Sequence, residues 1–121
     1  MDRPLLEFVR KQNNIRLAGF SHGILLHVPG LQFKIVGRDV EVIDSDDGAK
    51  LAVISPVDHT MFIYTYNGKI ISFHALGDGD YAVEYGEHTV TLGAKRDDGG
   101  ATLRIEVSNS GETVGWFRMR G

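Results

Sequence analysis

An all-β fold, an antiparallel meander of about nine or ten short strands, is what this chain predicts, and three observations predict it. Short runs of β-branched and aromatic residues alternate with polar residues at period two. Fifteen glycines and three prolines stand mostly singly between those runs, where tight turns need them. The stretch Thr60 to Leu76, TMFIYTYNGKIISFHAL, places two such runs around Asn67-Gly68. Asn-Gly is the strongest short-range hairpin signal, because a type I′ turn takes positive φ at both central residues. Strand twist accumulates along a meander of this length, so it is expected to close into an up-and-down β-barrel, with a two-sheet β-sandwich as the alternative.

The 121 residues are the size of one domain. Residues 1–14 read as a helical N-terminal segment and residues 15–121 as the β meander. Asp2 can cap a helix with Pro4 in its first turn, and Leu5, Phe8 and Val9 then share a face. Arg10 and Lys11 sit at the negative end of the dipole, and Asn13-Asn14 ends the element. One short amphipathic helix is therefore expected over residues 4–12.

Ile15 to Phe20 is a candidate first strand. Ile24–Val28 and Leu31–Val36 flank Pro29-Gly30, and a two-residue turn sets Val28 against Leu31, Leu26 against Phe33 and Ile24 against Ile35. Gly37-Arg38 suits a type II′ turn that brings Val40 and Val42 level with Ile35 and Phe33. Asp44–Ala49 is a polar loop, Lys50–Ile54 a short strand, and Ser55–His59 a link to the Asn-Gly hairpin. In that hairpin Phe62, Tyr64, Ile71 and Phe73 are assigned to the core, leaving Met61, Ile63 and Ile70 on the opposite face. Gly86-Glu87 again suits a type II′ turn, pairing Val83 with Val90 and Tyr81 with Leu92. Ala101, Leu103, Ile105 and Val107 form an inward series. A three-residue loop, Asn109-Ser110-Gly111, would set Leu103 against Phe117 and Ile105 against Gly115, with Arg104 over the Trp116 ring.

A net charge of −3 gives no basic field for nucleic acid. The absence of cysteine excludes disulfides, a thiolate zinc site and a cysteine nucleophile. No apolar run approaches the roughly 18 residues of a membrane span. The N-terminus interleaves charges with apolar residues, unlike a signal peptide, so an intracellular, cytoplasmic location is expected.

Five histidines, His22, His27, His59, His74 and His88, show no HxH or HxxxH spacing, so no metal site is expected. The acidic turns DSDDG, GDGD and RDDGG lack the EF-hand ligand pattern and are read as turn chemistry. Ser21-His22 lies in no GxSxG elbow, and no phosphate-binding glycine loop is present. No cofactor is therefore assigned.

Tyr64, Tyr66, Tyr81 and Tyr85 are large strand formers that could together line a ligand site, with Lys69 opposite Tyr66 giving it a polar mouth. Met61, Ile63 and Ile70, with Leu25 opposite Lys34, form an outward apolar face that calls for a cover. That cover is the N-terminal segment or a second copy of the chain, failing which an unidentified protein partner. The expectation is a non-enzymatic binding or assembly module acting through its surface, of the kind found among viral, phage and accessory proteins. The alternatives are a carrier of a small apolar ligand inside a barrel, and a small isomerase or hydrolase using His27, His74 or His88 with a carboxylate such as Glu84.

Overall fold

In the computed structural model the described residues are 5–20, 23–64, 70–97 and 100–120. They form twelve strands: β1 (Leu5–Arg10), β2 (Arg16–Phe20), β3 (Gly23–Val28), β4 (Leu31–Val36), β5 (Asp39–Asp44), β6 (Lys50–Ser55), β7 (Thr60–Ile63), β8 (Ser72–Gly77), β9 (Asp80–Tyr85), β10 (His88–Asp97), β11 (Gly100–Asn109) and β12 (Glu112–Arg120). They are arranged as two six-stranded antiparallel sheets. One runs β1-β12-β11-β10-β9-β8 and the other β2-β3-β4-β5-β6-β7.

The antiparallel meander is therefore present, and the barrel is corrected to a sandwich-like pair of sheets. The chain changes sheet twice, between β1 and β2 and between β7 and β8. A round barrel of twelve strands would enclose a lumen wider than side chains can fill. Two facing sheets packed about 10 Å apart bring Phe33, Leu26 and Ile35 of one into the same core as Phe117, Ile105 and Leu92 of the other.

The expected N-terminal helix is also corrected. Residues 5–10 are a strand, paired along its whole length with β12 from Leu5↔Arg120 to Arg10↔Gly115. Lys11 N–H extends the ladder to the Val114 carbonyl at 2.7 Å. Phe8 packs on the core while Glu7, on the other face, meets Arg118. Leu5, Phe8 and Val9 fit a helix stripe locally, but the free edge of β12 offers six residues a complete hydrogen-bonding partner, and that tertiary pairing overrides local preference.

Short turns set most of the registers. Ile24↔Ile35, Leu26↔Phe33 and Val28↔Leu31 pair as expected, as do Phe33↔Val42, Ile35↔Val40, Val83↔Val90 and Tyr81↔Leu92. Gly37 and Gly86 have φ of 61° and 60° while Arg38 and Glu87 do not go positive, the signature of type II′ turns. Between β11 and β12 the register is two residues from the expected one, with Leu103↔Met119, Ile105↔Phe117 and Val107↔Gly115. The loop there is two residues, Ser110-Gly111, both at positive φ (51° and 86°), which accounts for one residue of the difference, and an irregularity at Val107/Ser108 accounts for the other. A two-residue shift keeps every side chain on its face, so Leu103, Ile105 and Phe117 remain buried. It does move Arg104 away from Trp116, and Arg118 takes its place, 5.7 Å from the ring centroid.

The Asn67-Gly68 turn lies outside the described residues. Its flanks belong to different sheets: Phe62 pairs with Val53 and Phe73 with Val83. The expected central hairpin is instead a passage between two sheet edges.

Candidate functional site

The most exposed apolar surface lies where the chain passes from β7 to β8. Ile70 is 90% exposed, Phe62 61%, Leu76 55% and Ile63 49%. The rings of Phe62 and Tyr64 meet edge to face, with centroids 4.9 Å apart. Both strands are sheet edges, so one side of each carries backbone groups outside any ladder among the described residues. Neither Thr60–Tyr64 nor Ile70–Gly77 contains Lys, Arg, Asp or Glu. Several large apolar side chains exposed along edge strands are characteristic of contact surfaces.

The structure brings together only part of the outward face read from the sequence. Ile63 and Ile70 are on the seam. Met61 turns inward opposite Ile54 and packs on the core, and Phe62 takes the outward position. Leu25 lies on β3, four strands from β7 in the same sheet, opposite Lys34. Ile71 and Phe73 pack against the core.

The tyrosines and Lys69 are distributed as follows. Tyr66 and Lys69 lie outside the described residues. Tyr64 is on the seam. Tyr81 is buried in the core, where it pairs with Leu92. Tyr85 lies over the Pro29-Gly30 turn, so close that a Cβ on Gly30 would fall 2.5 Å from its ring. It therefore closes one end of the sandwich, and Gly30, at φ 84°, is the residue that permits it. Tyr64, Tyr81 and Tyr85 line neither of the two depressions described below.

His74 and Glu84 do form a pair, Nε2 to Oε2 3.5 Å, on the outer side of β8 and β9, about half exposed. His27 faces Arg16 and Gln32 on the outer side of β3. His88 Nε2 is buried without a hydrogen-bond partner. His59 packs over Gly79, joining the β6–β7 connection to the β8–β9 turn. His22 lies outside the described residues. Among the described residues no three His, Asp or Glu side chains cluster as a metal site. The DSDDG loop spends its first carboxylate on itself: Asp44, 1% exposed, accepts the Asp46 N–H at 2.9 Å.

Two depressions open on the surface. One, about 350 Å³, lies at the end of the sandwich between Arg38, Val57, Arg96, Leu103 and Met119. The other, about 460 Å³, lies on the outer face of the first sheet among Lys95, Arg104, Arg118 and Arg120. These cations come from three consecutive strands, with Arg118 and Arg120 two residues apart on β12, and the strand registers bring Lys95 and Arg104 beside them. Among the described residues no helix is long and apolar enough to cross a membrane. Comparison with protein-family models, curated proteins and solved structures returned no match to this chain.

Proposed function

We propose that the chain is a non-enzymatic binding and assembly module that associates with a second copy of itself through the β7–β8 seam. The observation that carries this reading is the exposure of Phe62, Ile63, Ile70 and Leu76, each about half exposed or more, on or beside two strands that are both sheet edges. Burying such side chains releases about 25 cal/mol per Å² of apolar surface. The described segments of the seam, Thr60–Tyr64 and Ile70–Gly77, carry no Lys, Arg, Asp or Glu, which limits like-charge repulsion between two copies related by a two-fold axis. Free edges also offer backbone donors and acceptors to a partner strand.

A carrier role has less support, because Phe33 and Phe117 fill the space between the sheets with no exposure. A hydrolase or isomerase role would rest on His74 and Glu84, which lie in neither depression.

Light scattering tests the proposal. The wild type is expected to be a dimer at about 100 μM, and Ile63→Lys combined with Ile70→Lys a folded monomer. A wild type that stays monomeric at that concentration contradicts self-association.

A further inference from the structure

We propose that the outer face of the first sheet carries a binding site for one compact oxyanion, a small phosphate ester. Four of the chain's thirteen Lys and Arg residues, Lys95, Arg104, Arg118 and Arg120, line one depression of about 460 Å³, although the chain as a whole is acidic. Arg104 and Arg118 stand directly opposite each other in the β11–β12 ladder, and Thr102 stands opposite both Lys95 and Arg120. Like charges placed face to face across strands repel; Glu7 and Glu106 offset part of that cost, and an anion between the two guanidiniums removes more of it.

The site is built on strands rather than on loops, and two of its arginines are held by neighbouring carboxylates on the same face. Glu7 pairs with Arg118, and Glu106 with Arg104 at 3.6 Å. The Arg118 guanidinium also lies over the Trp116 ring. Each contact fixes one part of a five-donor fork and leaves other N–H groups to meet a ligand. Gly93, opposite Arg104, supplies no side chain, and the space over it is left to the Asp80 carboxylate. A Cβ at Gly93 would lie 2.5 Å from Asp80 Oδ1, so that carboxylate stands at the rim above it.

The same carboxylates set the size of the ligand. Glu7, Glu106 and Asp80 fence the cations on the sides. A linear polyanion crossing the sheet would run into Glu7 or Asp80, whereas a single phosphate group fits between them. Asp80 can accept a hydrogen bond from a hydroxyl next to that phosphate. The site is on a different surface from the β7–β8 seam and does not depend on it.

Chemical-shift titration with glycerol phosphate, and with inorganic phosphate alone, tests the assignment. Saturable shifts on β10–β12 are expected, weakened about tenfold or more in Arg104→Gln and in Lys95→Gln and unchanged in Lys34→Gln on the other sheet. Arg104 and Lys95 are exposed, so both variants should keep the wild-type strand spectrum. Shifts that stay linear to about 20 mM ligand, or saturable shifts insensitive to both substitutions, overturn the proposal. So does tighter binding of a single-stranded oligonucleotide through the same arginines. Capture by vesicles containing phosphatidic acid that free glycerol phosphate fails to reverse would place the phosphate on a membrane instead, and overturns the small-ester assignment.

Discussion

Arg96, on β10 of one sheet, donates from Nη2 to the backbone carbonyl of Val57, in the β6–β7 connection of the other, at 3.1 Å. The contact ties the two sheets together at the end where the 350 Å³ depression opens. Arg96 also approaches Asp58 at 3.5 Å, and Arg38 reaches the same carboxylate at 3.8 Å. These side chains are half exposed or more, so the ion pairs are screened and contribute little. The bond to the carbonyl is the larger effect. Arg96→Met is expected to cost about 1 kcal/mol in urea unfolding, and Asp58→Asn less than about 0.5 kcal/mol. The reverse order would show that the charges, not the carbonyl contact, hold that end.

The β1–β12 pairing joins the two ends of the chain. Phe8 stands opposite Phe117, which is fully buried, and packs on the core while remaining partly exposed. Phe8→Ala should therefore cost about 2–3 kcal/mol, below the full-burial range. Gly115 gives β1 room, since a Cβ there would come within 3.3 Å of the Val9 carbonyl oxygen. A loss under about 0.5 kcal/mol for Phe8→Ala would show that β1 is not docked in solution.

Ser110 occupies the first position of the β11–β12 turn at φ 51°, a conformation asparagine tolerates better. Its backbone N–H bonds to the Glu87 carbonyl at 2.8 Å, and a side-chain change preserves that bond. Ser110→Asn is expected to stabilise the protein by about 0.5 kcal/mol, read as a higher melting temperature. A lower melting temperature would contradict the turn assignment.

Burial, with the Arg16 guanidinium as a second cause, holds the His27 imidazole below its ordinary value of 6.5. The fold thus favours the neutral ring, and the unfolded chain binds the proton more readily. The stabilisation is complete above about pH 6.5 and is lost as the pH falls through that value toward the lower folded-state value. Urea midpoints should fall between about pH 7.5 and pH 5.5, and His27→Gln should reduce that fall. An identical pH dependence in the variant would contradict this assignment.

What was legible in the sequence is what short turns and alternation determine. Pro29-Gly30, Gly37-Arg38 and Gly86-Glu87 each fix a two-residue connection, so Leu26↔Phe33 and Val83↔Val90 follow directly. The fate of Leu5–Arg10 was not legible, because its partner strand is over a hundred residues away and the local pattern suits a helix equally well. The division into two sheets was hidden for a similar reason. An Asn-Gly turn between apolar runs reads as a hairpin, and nothing local shows that each run pairs with its other neighbour. The apolar character of the seam was legible, but not that Met61 turns in while Phe62 turns out. The cluster of Lys95, Arg104, Arg118 and Arg120 needed the β10–β11–β12 registers, one of which the two-residue Ser110-Gly111 turn and an irregularity at Val107/Ser108 together shift by two residues.

Amide hydrogen exchange at two protein concentrations tests the central claim, association through the seam, most directly. Local protection reports whether an edge strand has gained a partner. The amides of Thr60–Tyr64 and Phe73–Leu76 should exchange more slowly in the concentrated sample, while the β10–β12 face stays unchanged. Equal exchange at the seam at both concentrations, or new protection confined to another surface, would contradict it.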